Sequence, residues 1–293
     1  MSQKHPIIAV TGSSGAGTSS VKTAFELLFE RCNIKPMLVD GDGFHRYARA
    51  EMARLTAETD RKHGRFSLFG VEANLLDQLE QLLENYASRG YGITRHYLHD
   101  EIQARPYQQA AGTFTDWQEE GRGSDLLFYE GLHGALVHPP HDIARHVDLK
   151  IGVVPVINLE WIQKMQRDIK ERCYNKQQVK QSILRRMYDY VNIITPQFSR
   201  TDINFQRIPT VDTSDPFAAT RIPGNDESLV VIHFLKPEKF AIDIAYLQSK
   251  LNGSLSRADT LVISSEKMPL AIDVIFEPIL LKMLNKSANK RAS

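Results

Sequence analysis

The run Gly12-Ser13-Ser14-Gly15-Ala16-Gly17-Thr18-Ser19 lies directly after a short apolar segment and before an amphipathic one. Glycines at this spacing let successive backbone N–H groups face an anion, and the start of a helix adds its partial positive charge, so the segment suits phosphate. Ser19 stands where a hydroxyl ligand of Mg2+ belongs, whereas Thr18 occupies the position at which such loops carry a lysine. A nucleotide site built here must take its cation from elsewhere. The competing reading is a plain glycine turn that caps a helix at Ser19.

Three further groups have spacing that suits phosphoryl chemistry. Asp40-Gly41-Asp42-Gly43-Phe44-His45-Arg46, with Arg49 just beyond, follows a second expected strand. A carboxylate there can accept the proton of a hydroxyl that attacks phosphorus, and His45 and Arg49 can hold another anionic group; Asp-Gly is also ordinary turn chemistry. Lys164, Asp168 and Arg172 recur at intervals of four, with Arg167 three after Lys164. A helix gathers all four on one face, opposite Ile162, Met165 and Ile169, as a source of the missing cation or as a solvated face laced with ion pairs. Finally, Leu126-Leu127-Phe128-Tyr129-Glu130-Gly131 reads as a buried strand ending in a carboxylate, which beside a phosphate loop orients Mg2+ and its waters. His138, His141 and His146 lack zinc spacing and are assigned surface or capping roles.

These groups need a scaffold that delivers strand ends and helix starts to one place, and the order of elements suits an α/β chain. Strands are expected at 7–11, 37–40, 93–98, 126–129, 149–154, 210–212, 229–234 and 260–263. Helices are expected at 19–31, 49–63, 74–86 (ending near Gly90), 157–172, 177–194 (stopped by Pro196), 244–251 and 270–284. Residues 100–124 read as a long loop, of a length that is either functional or disordered, and the basic stretch 285–293 as a frayed tail.

Composition limits the function classes. Of 293 residues, 24% are charged and 42% hydrophobic, which excludes a disordered chain and predicts a packed core. Lys+Arg number 36 against Asp+Glu 35, so no broad basic surface for nucleic acid is expected and an anionic partner must meet a local site. The N-terminal apolar run is too short for a secretory signal, and no stretch approaches the ~18 apolar residues of a spanning helix. Cys32 and Cys173 lie in no metal or redox spacing, consistent with reduced thiols in a cytoplasmic protein without membrane partners.

Five blocks, GSSGAGTSS, GDGFHRYAR, TFTDWQ, LLFYEGLHG and VVPVINLEWIQKMQRD, resemble the phosphoribulokinases in order and spacing, specifically their bacterial branch, over nearly the whole chain. More distantly the pattern is similar to uridine kinase. The resemblance implies an α/β P-loop kinase fold, a mixed, mostly parallel sheet flanked by helices, in one domain spanning residues 1–293. It implies transfer of the γ-phosphoryl of ATP, bound with Mg2+, to O1 of D-ribulose 5-phosphate, yielding ribulose 1,5-bisphosphate for carbon fixation. Residue by residue, it makes Asp42 the catalytic base and His45, Arg49, Tyr97 and Arg172 substrate contacts. Glu130 becomes the Mg-site carboxylate with Ser19, Lys164 and Arg167 the cations at the transferring phosphate, and Asp168 a second essential carboxylate. The lysine-free loop is itself similar to this branch. A homo-oligomer, with an octamer among the options, and an NADH or AMP effector are also implied.

Two departures stand out. Where the family signature continues with Gly, a hydroxyl residue and Glu, this chain has Cys173, Asn175 and Gln177, and the loop holds Ala16 where plant-type members carry a regulatory thiol. Two alternatives follow: a uridine-kinase-like or other small-metabolite kinase, and a non-catalytic nucleotide-responsive module that kept only the fold. His45 and Arg49 oppose the first, since a neutral nucleoside offers two cations no phosphate. The joint presence of Asp42, Glu130, Lys164 and Asp168 opposes the second.

Overall fold

In the computed structural model the described residues are 4–13, 15–62, 64–170 and 174–292. An eight-stranded sheet forms the centre. Its strands are β1 Ile7–Thr11, β2 Pro36–Asp40, β3 Leu126–Gly131, β4 Leu149–Val153, β5 Ile203–Pro209, β6 Ser228–Phe234, β7 Ser254–Arg257 and β8 Thr260–Ser264. Their spatial order is β7-β8-β6-β5-β4-β1-β3-β2. The pairs β2/β3, β1/β3, β1/β4 and β4/β5 are parallel. The pairs β5/β6, β6/β8 and β7/β8 are antiparallel. The sheet is therefore mixed and mostly parallel, as expected.

Period-two alternation divides the core into two layers. Ile8 and Val10 of β1, with Phe128 of β3 and Ile151 of β4, face α1 Thr18–Arg31 and the C-terminal helix, where Phe25, Leu28, Ile272 and Phe276 complete one cluster. Ile7 and Ala9, with Val39 and Tyr129, face α3 Leu76–Arg89, whose Leu76, Leu79, Leu82, Leu83 and Tyr86 complete the other. Between α1 and α3 lies the polar α2 Arg49–Arg61, with no buried residue. Further along come α4 Ile157–Lys170, α5 Lys176–Arg185, α6 Ile244–Leu251 and α7 Met268–Ala292.

Several expected elements are displaced for identifiable reasons. The strand expected at 210–212 lies at Ile203–Pro209, where Ile203 and Phe205 are buried and pair with β6, and the ladder stops at Pro209. The expected helix at 177–194 is α5 followed by a turn Met187–Asp189, a π-helical turn Tyr190–Ile194 and a 3-10 segment Thr195–Ser199. Pro196 sits at the start of that last segment, where its missing N–H costs nothing. The α3 helix starts at Leu76 and ends at Gly90, whose φ of 78° closes it in the left-handed region. Of the expected 93–98 strand only Ile93 and Thr94 are regular, in a strand Gly92–Thr94 paired antiparallel with Gln118–Glu120.

That pairing gives structure to the 100–124 stretch, which is no open loop: Asp100 caps a helical turn Glu101–Ala104, and Tyr97 bridges Phe114. The 285–293 tail is helical up to Ala292, with Ser287 buried and bonded to the Lys4 carbonyl, because α7 continues to pack beside the N-terminal segment. Ser14, His63, Arg172, Cys173 and Ser293 lie outside the described residues. Among the described residues, no helix is long and apolar enough to cross a membrane.

Candidate active site

Because β1 to β4 run parallel, their carboxyl ends share one edge of the sheet, with Val10 and Asp40 both in register with Glu130. Three loops open there and line a cleft of about 840 Å3. Ligands of open α/β sheets bind at this edge.

The first loop runs from β1 into α1. Gly15 and Gly17 have φ values of 102° and 100°, a conformation L side chains rarely adopt, which lets the chain turn its amides toward the cleft. The Ala16 N–H donates to the Ser13 carbonyl at 3.0 Å. Gly12, Ser13, Gly15, Thr18 and Ser19 line the cleft. Thr18, in the position of the usual lysine, is buried and its hydroxyl approaches Glu130. Burial raises the Glu130 pKa, the Thr18 contact opposes this, and the charges of Asp40 and Asp42 raise it further. A half-buried carboxyl among like charges beside a phosphate loop is a place a divalent cation would relieve.

The second loop follows β2 as a 3-10 turn, Gly41–Phe44, in which the Asp42 N–H donates to Asp40 Oδ1 at 2.9 Å. Asp42 Oδ1 lies 3.1 Å from His45 Nε2, and His45 Nδ1 lies 2.8 Å from Asn74 Oδ1. Asn74 is itself fixed by donating to the Leu68 and Gly70 carbonyls. Burial alone would lower the His45 pKa, but the Asp42 charge, the bonds to Asp42 and Asn74 and the Asp40 charge raise it above the ordinary value. His99 Nε2 stands 3.6 Å from Asp40 and 3.7 Å from Asp42. The Arg49 guanidinium donates to the His99 carbonyl at 2.7 Å and lies 5.9 Å from the Tyr97 ring, whose centroid is 4.8 Å from that of His99.

Arg95 explains why the TFTDWQ segment belongs to this site. Its guanidinium is sandwiched near Phe114 and Trp117, at 3.7 and 4.6 Å, and donates to the Gly43 and His45 carbonyls. The segment thus props the turn that carries Asp42.

The third wall is α4. Ile162 and Met165 are buried as expected, but Ile169 is 38% exposed, while Lys164 and Asp168 are only 4% and 3% exposed. The solvated-face reading of this helix is therefore wrong: the charged face points into the cleft. Lys164 pairs with Asp168, and Arg167 Nε donates to the same carboxylate at 3.1 Å. Burial, then the charge of Arg186, lower the Lys164 pKa to about 7, against the Asp168 pair, with Arg167 lowering it further. An incoming anion restores the charged form.

The structure thus brings Gly12, Ser13, Gly15, Thr18 and Ser19 together with Asp42, His45, Arg49, Tyr97, Glu130, Lys164, Arg167 and Asp168, whereas the expected loop residues Ala16 and Gly17 do not line the cleft. Ser14 and Arg172, expected at the same site, lie outside the described residues. Sequence reasoning missed Asn74, Arg95, His99, Glu160 and Arg186. Of these only Glu160 carried a signal, standing one helical repeat before Lys164. Among the departing signature residues, Asn175 caps α5 in a reciprocal capping box with Gln178. His141 and His146 both contact Glu80.

Known proteins resemble this chain over nearly its whole length. The family model described as phosphoribulokinase / uridine kinase matches residues 7–214. The chain is 52% identical over 295 residues to the chromosomal phosphoribulokinase of Cupriavidus necator, with 100% of both chains covered. It is 53% identical over 287 residues to the phosphoribulokinase of Rhizobium meliloti, with 98% of each covered. The solved phosphoribulokinase from Rhodobacter spheroides superimposes with a TM-score of 0.89 at 47% identity, over 98% of this chain and 99% of that one. The chain belongs to the phosphoribulokinase/uridine kinase family.

Proposed function

We propose that this protein is an ATP-dependent kinase that transfers the γ-phosphoryl group of MgATP to O1 of D-ribulose 5-phosphate, giving ribulose 1,5-bisphosphate and ADP. The observation that carries this reading is the meeting, in one cleft, of a phosphate loop, an Asp42–His45 pair and a buried Lys164–Asp168 pair. Relatives named phosphoribulokinase at about half identity over the full length support the substrate.

The backbone amides from Gly12 to Ser19 and the start of α1 receive the nucleotide phosphates. Ser19 and Glu130 are the residues that would hold Mg2+ arriving with ATP; a hydroxyl and a carboxylate beside phosphates suit an ion that retains several waters. Bound there, the ion would neutralise charge on the phosphoryl oxygens. Asp42 accepts the O1 proton as O1 attacks the γ-phosphorus. His45, whose pKa Asp42 raises, orients that base and, with Arg49 and Tyr97, receives the 5-phosphate. Lys164 and Arg167, aligned by Asp168, stabilise charge on the moving phosphoryl group. They supply the cation absent from the loop. Arg172 is assigned to the sugar phosphate by resemblance alone.

The same reading treats residues 1–293 as one cytoplasmic kinase domain that assembles into a homo-oligomer and responds to NADH or AMP. Steady-state turnover of MgATP with ribulose 5-phosphate, set beside uridine and other sugar phosphates, tests the substrate. The expected result is a clear preference for ribulose 5-phosphate. Preference for uridine would replace the reading with a nucleoside kinase.

A further inference from the structure

One charged side chain on the cleft face of α4 has no part in the chemistry above. Glu160, Lys164 and Asp168 recur at intervals of four, and Glu160 is 5% exposed. Its carbonyl oxygen and Cγ lie 3.3 and 3.5 Å from the place a Cβ on Gly15 would occupy, so α4 presses on the phosphate loop at this residue. Burial pushes its carboxyl up to about 7, opposed by the Ser13 hydroxyl, the charges of Arg186 and Lys164, and the Tyr190 hydroxyl. Ser13 is fully buried, yet Ser13 Oγ and Glu160 Oε2 each lack a hydrogen bond of good geometry.

Buried polar atoms are almost always paired, and exceptions need a reason. Here two such atoms sit near each other on opposite sides of a contact between the phosphate loop and the helix bearing Lys164. The loop is also the element that must adjust when phosphates draw its amides inward. We propose that Glu160 is a positioning residue for ATP: the Ser13 hydroxyl and the Glu160 carboxyl form a hydrogen bond when the loop takes up phosphate, locking the loop against α4. This rests on the reading of the loop as an ATP site. Because that bond lacks good geometry in the free protein, removing the Ser13 hydroxyl weakens ATP binding and leaves the stability of the free protein unharmed. Glutamine at 160 retains an amide that can pair with the hydroxyl.

The test measures ATP affinity by calorimetry, the KM for ribulose 5-phosphate and the Tm without ligand, for the parent protein, Ser13→Ala, Glu160→Ala, Glu160→Gln and the double Ser13→Ala/Glu160→Ala. Losing one such bond weakens ATP binding about ten-fold in Ser13→Ala and Glu160→Ala. The double variant is no weaker than the weaker single, since both act through one contact. Glu160→Gln stays close to the parent, the KM for ribulose 5-phosphate is unchanged, and the Tm of Ser13→Ala does not fall. Unaltered ATP affinity in Ser13→Ala, additive losses, or equal losses for both substrates overturn the proposal. Should Glu160→Ala not fold, Ser13→Ala and Glu160→Gln decide it alone. A parent protein that binds no ATP would instead remove the kinase reading.

Discussion

Asp42 and His45 form a pair in which the carboxylate raises the His45 pKa. The His45 pKa is raised although burial opposes it, because Asp42 supplies the largest favourable contribution. Asp42→Asn removes that contribution, so the His45 pKa, followed by NMR, falls. In the same variant turnover drops by roughly 10^2 to 10^4-fold, the contribution of a positioned base, while calorimetric ATP affinity stays near that of the parent. Normal turnover in Asp42→Asn would remove Asp42 as the base. Lys164 is a separate case. Its pKa, about 7 in the free protein, lies close to neutrality, and anionic phosphates favour the charged form. Binding of ATP at pH 7.5 therefore takes up protons, read as a dependence of calorimetric enthalpy on buffer ionisation. Lys164→Met reduces this uptake and lowers kcat; uptake identical to the parent would show that Lys164 does not meet the phosphates. The identity of these residues was legible from spacing on a helix, but their burial was not. A charged stripe at i, i+4 looks the same in sequence whether it faces water or a cleft.

At the scale of elements, the parallel strands and α1 were legible because apolar runs and period-3.6 patterns decide them locally: Val21, Ala24, Phe25, Leu28 and Phe29 all prove buried. The displaced strand at Ile203–Pro209 and the broken helix after Arg185 were not, since pairing with β6 and packing of Tyr190 and Ile194 against Phe69 are long-range. Arg95 escaped for the same reason: its partners Phe114 and Trp117 arrive through the Gly92–Thr94 and Gln118–Glu120 pairing. The turn after β3 carries a pH prediction. His133 is buried with Nε2 3.2 Å from the Phe69 carbonyl, and burial lowers its pKa to about 4 from 6.5, with the His45 charge lowering it further and the carbonyl opposing. A lowered pKa means the folded state binds fewer protons than the unfolded one. This contribution is complete above 6.5 and is lost as pH falls toward 4, on the order of 3 kcal/mol. Urea midpoints at pH 7 and pH 4.5 measure it. His133→Asn narrows the difference between them, and an undiminished difference would place the acid sensitivity in other groups. His45 works in the opposite sense: with its pKa raised, its contribution is full below its unfolded value and fades as pH rises through the folded one.

Across the whole molecule, a formal net charge of +1 conceals an uneven distribution. Arg49, Lys164 and Arg167, with His45, gather at one sheet edge, where two small phosphate-bearing molecules would be handled together. Composition could set the expectation that an anion meets a local site, but only the parallel order of β1 to β4 says where. The antiparallel β6 to β8 extend the sheet beyond the parallel strands that bear the site, and α7 packs on one of its faces. If the homo-oligomer implied by the bacterial branch forms, light scattering on the eluting protein gives a mass several times that of one chain, eight times for an octamer; a single-chain mass would refute assembly. The most direct test of the proposed reaction follows the label from ATP labelled in its γ-phosphoryl group, incubated with Mg2+ and D-ribulose 5-phosphate, and identifies the product by 31P NMR and mass spectrometry. The expected product is a pentulose bisphosphate with the label on the O1 phosphate. Label found only in inorganic phosphate, or passed to uridine while ribulose 5-phosphate remains unchanged, would contradict it.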